Sequence, residues 1–161
     1  MKTVCIDTHI LIWGVRKHAT PGHEPMIQRA EMFLEYLEKS NARVLVPSIA
    51  IGEFLVGVPE ERQPVVLEAL QDRFRIVDFD PVAAALAAKL WQTRKQLLTA
   101  SIGSTRDVIK ADFQILATAI TRKASVLYSH DEELLNMRQN LIAVSKMPEG
   151  LAKDRDLFEP H

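Results

Sequence analysis

Four acidic residues, Asp7, Glu53, Asp112 and Asp131, either follow a short apolar run or lie on a helix beside apolar residues. Asp7 ends the short β-leaning run Val4-Cys5-Ile6, and after it Ile10, Leu11 and Trp13 take up helical spacing with Asp7 or Thr8 as the cap. Strand, acid, helix is the order that sets a side chain in the crevice beyond the carboxyl ends of an open α/β sheet. Asp112 precedes Ile115, Leu116, Ala119 and Ile120 at offsets of three, four, seven and eight, a carboxylate within an apolar stripe. Glu53 follows Ile49 by four residues and precedes Val56 and Gly57 by a turn, which predicts a helix face shared with core residues. Asp131 lies just past the apolar run Val126-Leu127-Tyr128. An unpaired carboxylate facing a core is costly, and several crowded together repel one another and take up protons. A hard divalent cation relieves both penalties, and an oxygen-only set without a His/Cys cluster points to magnesium or manganese rather than zinc. Such an ion activates water and stabilises in-line displacement at phosphorus.

The elements needed to bring these acids together follow from the apolar periodicity. Helices are predicted over Met26–Lys39, Ser48–Gly57, from Pro59 through Leu70, from Val82 to about Leu98, over Val108–Arg122, and briefly after Asp131 to Leu135. Short apolar strands are predicted at Val4–Ile6, Val44–Val46, Arg75–Phe79, Ser125–Tyr128 and Leu141–Val144. Residues 16–25 and 100–105 read as loops. Short apolar strands alternating with helices predict an α/β fold, a mainly parallel sheet flanked by helices on both faces. The chain reads as one domain over residues 1–145, with residues 146–161 a charged, surface-running tail of the same domain.

At 161 residues the chain is long enough to bury about 70% of its unfolded surface in a single core. The formal net charge of −1 gives no global basic field, so a nucleic-acid partner would depend on bound cations and a local Lys/Arg rim. The one cysteine, Cys5, sits inside the first strand and reads as a small buried hydrophobe in a reducing compartment. Asp7 interrupts the apolar N-terminal run, so a signal peptide is not expected, and no stretch reaches the ~18 apolar residues of a membrane span. A cytoplasmic location is the expectation.

The segments Ile6-Asp7-Thr8, Pro47-Ser48-Ile49-Ala50-Ile51-Gly52-Glu53, Lys110-Ala111-Asp112 through Ala119, and Leu127-Tyr128-Ser129-His130-Asp131 occur in the order of a PIN domain. The chain resembles that family from Thr3 to about Val144, and is most similar to the VapC toxins of toxin–antitoxin pairs. The resemblance implies a metal-dependent endoribonuclease that uses Mg²⁺ or Mn²⁺ and leaves 3′-hydroxyl and 5′-phosphate ends. It implies Asp7 and Asp112 as the most direct metal ligands. Asp131 completes the site directly or through water, and Glu53 ligates the ion or orients the attacking water. Thr8 and Ser129 match the family's supporting hydroxyls, and Lys110 is a candidate phosphate contact. A cognate antitoxin that blocks the cleft and a homodimer are implied too, the helices of Met26–Lys39 and Pro59–Leu70 being candidate faces. The extended connection at residues 16–25 and the tail after Lys146 depart from the compact toxins.

Plainer roles compete at each position. Asp7 can serve only as a helix cap, Glu53 as a solvated helix residue, and Asp131 with Glu132 and Glu133 as an acidic first turn favoured by the helix dipole. Asp112 has no nominated cationic partner. Asp107 reads as a first-turn acid, Trp13 and Trp91 as core, and His9 and His130 as packing or surface residues outside the site. The rival functions are a non-catalytic PIN-like module that binds RNA or protein, and a phosphatase of the aspartyl-phosphate type. The latter is weakened by His9, which stands where a second acid would be expected.

Overall fold

A computed structural model describes residues 1–97 and 109–151. Its centre is a five-stranded, wholly parallel sheet of β1 (Thr3–Ile6), β2 (Arg43–Pro47), β3 (Arg75–Val77), β4 (Val126–Tyr128) and β5 (Ala143–Ser145), in the order β3-β2-β1-β4-β5. Val4, Cys5 and Ile6 are all fully buried. Successive residues of a strand point to opposite faces, so this unbroken burial requires cover on both sides of the sheet. The cover comes from α1 (Thr8–Leu11, continued by a π-helical turn over Ile12–Arg16), α2 (Pro25–Lys39), α3 (Ser48–Leu55), α4 (Gln63–Arg73), α5 (Pro81–Leu97), α6 (Ala111–Thr121) and α7 (Glu132–Asn136).

Local chemistry explains most boundaries. Pro25 opens α2, and Asn41, just past its end, takes the left-handed conformation that asparagine tolerates. Asp80 caps α5 by accepting the Ala83 N–H at 2.9 Å, so the third strand stops at Val77 rather than running on to Phe79. The segment after Pro59 begins as a 3₁₀ turn over Glu60–Arg62 before α4 starts at Gln63. The predicted loop at residues 100–105, the predicted helix start at Val108, and Asp107 lie outside the described residues; within them α6 begins at Ala111. Gly14, in the π-turn, lies so close to α2 that a Cβ there would meet Leu34 Cδ1 at 2.6 Å. The absent side chain lets the first crossover pack flat on its neighbour.

Two expectations need correction. Helix α2 turns Ala30, Phe33, Leu34 and Leu37 into its own core, with Phe33 edge-on to Tyr128 of β4 at 4.6 Å. Its apolar stripe is therefore consumed within the chain, and Tyr36 is the large apolar side chain this helix leaves exposed. The segment after Lys146 does not simply run over the surface: Met147 is 1% exposed, and its N–H donates to His130 Nε2 at 3.1 Å. Arg29 of α2 donates to the carbonyls of Met147 and Pro148, while its approach to the exposed Glu149 carboxylate is a loose 3.8 Å. Arg29→Ala should cost about 1–2 kcal/mol in a urea melt and speed amide exchange at residues 147–151. Residues 152–161 lie outside the described portion. Cys5 is buried and unpaired, and burial pushes its thiol well above the ordinary range, so it is inert packing. Among the described residues no helix is long and apolar enough to cross a membrane.

Candidate functional site

The sheet places its first acid by register. Ile6 of β1 pairs with Tyr128 of β4, and the Asp7 N–H extends the ladder to the Tyr128 carbonyl at 3.1 Å. The residues after each strand therefore meet at the carboxyl edge, on either side of the seam where the chain order reverses. There the fully buried Ser129 hydroxyl donates to Asp7 Oδ2 and accepts the Asp131 N–H at 3.0 Å. The other Asp7 oxygen, Oδ1, accepts the His9 N–H at 3.0 Å, capping α1. Asp7 is only 4% exposed, and burial raises its carboxyl above the usual range against the opposing pull of these hydrogen bonds.

Helix α6 brings Asp112 to the same edge on its first turn, above the buried Ile115, Leu116 and Ala119. Burial pushes the Asp112 carboxyl up to about 7, aided by the negative charges of Asp131 and Asp7, a hydrogen bond with Asp131, and the charge of Glu53. Asp112 thus feels the other three acids, and among the described residues no cation appears among the charges acting on it. Asp131 also caps α7, accepting the Leu134 N–H at 2.9 Å, so the plain capping role and membership of the acidic group hold together.

Glu53 departs from its expected setting. The core face of α3 is Ala50, Ile51 and Phe54, whereas Glu53 is exposed and Val56 is 86% exposed. The periodicity was offset because α3 turns only one narrow side to the sheet. Glu53 still joins the group from its rim, where the Thr8 hydroxyl donates to Oε1 at 2.7 Å. Asp7, Thr8, Glu53 and Asp112 line a cavity of about 160 Å³ together with His9 and Ile12. Asp131 instead faces the adjoining larger groove. Lys110, just before α6, is half-exposed and paired with Glu133 at 3.2 Å.

Two residues set aside on sequence grounds belong to this neighbourhood. His9 lines both hollows, and His130 lies beside Trp13 with ring centres 5.5 Å apart. The clue to His9 was its four-residue offset from Trp13, which brings side chains together on a helix. The His130 imidazole is held neutral, its pKa lowered to about 4 by burial first and by the charges of Arg29 and Lys146. Trp13 and Trp91 are both core, as expected.

The donor chemistry suits a hard divalent cation: carboxylates and hydroxyls only, with mutual repulsion that such an ion would relieve. As they stand, however, no three His, Cys, Asp or Glu side chains among the described residues are arranged to hold an ion. Oxygens of Asp7, Glu53 and Asp131 are instead committed to Ser129, Thr8 and the α7 amide.

The arrangement of sheet and acids has a family. A PIN domain profile matches residues 4–140, most of the chain. The chain belongs to the PIN domain family. Solved structures agree on the fold of this PIN domain. A chain of VapBC2 from Rickettsia felis, crystallised bound to a DNA fragment from its promoter, superposes with a TM-score of 0.63 at 19% identity, over 89% of this chain and 98% of that one. DNA-bound VapBC from Salmonella typhimurium gives 0.59 at 18% identity, over 92% of this chain and 100% of its own. VapBC-1 from nontypeable Haemophilus influenzae gives 0.62 at 18%, over 90% and 98%. At these identities the likeness is one of fold. Comparison with curated proteins finds no match.

Proposed function

We propose that this PIN domain is a Mg²⁺- or Mn²⁺-dependent endoribonuclease, the toxin member of a toxin–antitoxin pair. The observation that carries the reading is Asp112, a half-buried carboxyl pushed up to about 7 by burial and by three neighbouring acids. Perturbed carboxyls of this kind cluster at functional sites, and the carboxyl edge of a parallel sheet is where ligands bind in open α/β folds.

Asp7, Asp112 and Asp131 would hold the ion, which when bound supplies charge neutralisation at the phosphate and activation of water. Ser129 fixes the Asp7 carboxylate through its hydroxyl. Glu53, oriented by Thr8, is set to accept a proton from the attacking water at Oε2, the oxygen Thr8 leaves free. Lys110 stands at the rim, where exchanging Glu133 for a phosphate is an inexpensive swap of exposed partners. RNA as substrate and cleavage to 3′-hydroxyl and 5′-phosphate ends rest on the family likeness. So does an antitoxin partner, since the structural relatives are VapBC complexes. With α2 consumed internally, a homodimer would draw on the α3–α4 side, where Val56 and Val65 are 86% and 71% exposed.

A non-catalytic binding module is the second reading, favoured by the absence of a ready ion-holding trio among the described residues. Incubating the purified protein with a mixed RNA pool in Mn²⁺, Mg²⁺ or EDTA separates the two. Cleavage with either ion and none in EDTA is the expected result, whereas intact RNA throughout would leave the binding module.

A further inference from the structure

Beside the acidic cavity runs a groove of about 830 Å³, within the size range of sites that enclose a small organic ligand. The two hollows share His9 and Ile12, so a strand with a phosphate at the acids must pass the His9 ring to enter the groove. His9 is exposed, yet its ring rests on Trp13, with centres 5.6 Å apart and planes inclined by 45°. Trp13 is itself 7% exposed and is braced by the edge of His130, which the Met147 N–H fixes through Nε2. The result is an exposed imidazole tilted against a buried indole that is itself braced from behind. No ring nitrogen of His9 has a hydrogen-bond partner among the described residues.

We propose that the His9 face, backed by Trp13, is the platform on which the base next to the scissile phosphate stacks, making His9 a positioning residue for cleavage. This rests on the nuclease reading above. Stacking adds what phosphate contacts alone do not supply: Lys110 can exchange Glu133 for one phosphate, but the other basic side chains lining the groove are engaged, Lys146 with Glu132 and Arg16 with the Phe54 carbonyl. An aromatic face holds any unstacked base without needing net positive charge.

The test is anisotropy of a fluorescein-labelled single-stranded oligoribonucleotide in EDTA, using wild type, His9→Ala and His9→Phe, with kcat and KM measured in parallel in Mn²⁺. His9→Ala keeps the backbone N–H that donates to Asp7 Oδ1, so the cap on α1 survives the change. The expected result is about tenfold weaker binding and a raised KM for His9→Ala, with His9→Phe within about twofold of wild type. Wild-type affinity in His9→Ala overturns the proposal, as does His9→Phe binding as poorly as His9→Ala, or a wild type that binds no oligoribonucleotide. Cleavage that His9→Ala leaves unchanged and Asp112→Asn abolishes sinks the platform and spares the nuclease. Binding that depends on the His9 ring in a protein that cuts nothing in either ion does the reverse.

Discussion

Asp112→Asn is expected to make the metal-free protein more stable, not less. In the folded chain the Asp112 carboxyl titrates near 7, against 3.8 for an unperturbed aspartate. Between those values the folded state holds a proton that the unfolded state has released, so stability falls as pH rises from about 4 to 7 and stays reduced above. Asparagine carries no charge to bury beside Asp131, Asp7 and Glu53, and so escapes that loss. A fully buried group shifted this far would be worth about 4 kcal/mol. Asp112 is only half-buried, and solvent screening lowers the expected gain to about 1–2 kcal/mol, or roughly 3–6 °C in Tm. Below about pH 3, where both states keep the proton, the advantage should vanish. Excess Mn²⁺ should reverse the order at neutral pH: an ion present at a hundred times its Kd stabilises its binder by about 2.7 kcal/mol, and the substituted protein forfeits most of this. Thermal melts of both proteins at about pH 3 and 8 with EDTA, and at pH 8 with Mn²⁺, read all of these effects. A variant that melts below wild type in EDTA at pH 8 would show that Asp112 is a structural acid with a stabilising partner.

Asp7→Asn should abolish RNA cleavage, by about a thousandfold or more, while leaving the fold intact. Removing one charged ligand forfeits several kcal/mol of transition-state stabilisation, and each 1.4 kcal/mol is about tenfold in rate. The amide oxygen can still accept the His9 N–H, so the cap on α1 persists and a melt should move little. The two hydroxyls grade the effect. Ser129→Ala and Thr8→Val remove the groups that orient Asp7 and Glu53 without touching the carboxylates, and each should lower activity or metal affinity about 10–100-fold. Single-turnover cleavage in Mn²⁺ with circular dichroism of each variant is the check. Equal losses across the three would point to a general disturbance of the sheet edge instead of a ligand and its supports.

How far the chain could be read before it was folded depended on whether a feature was local. The strand ending at Asp7 and the helix carrying Asp112 over Ile115, Leu116 and Ala119 are patterns of neighbouring residues, and both elements formed as the spacing required. Burial of Trp13, Trp91 and Cys5 was legible for the same reason: large or small apolar groups within apolar runs go inside. Glu53 was misjudged because periodicity defines a stripe but not which side of it meets the sheet, and α3 offers its core only Ala50, Ile51 and Phe54. The internal use of the α2 stripe sets Phe33 against Tyr128, and the Arg29 clasp joins the helix to Met147 and Pro148 more than a hundred positions on, both beyond any local signal.

The sequence by itself determined the α/β class, the family, and that Asp7 and Asp131 stand just past strands and Asp112 on a helix with an apolar stripe, because hydrophobic period and chain order carry that information. Tertiary structure alone decided the strand order β3-β2-β1-β4-β5 and the register that sets Ser129 against Asp7. It also decided that the four charges lie near enough to lift Asp112, and that His9 stands between cavity and groove. Those properties depend on distances between segments remote in sequence, and such distances exist only once packing has closed the chain on itself.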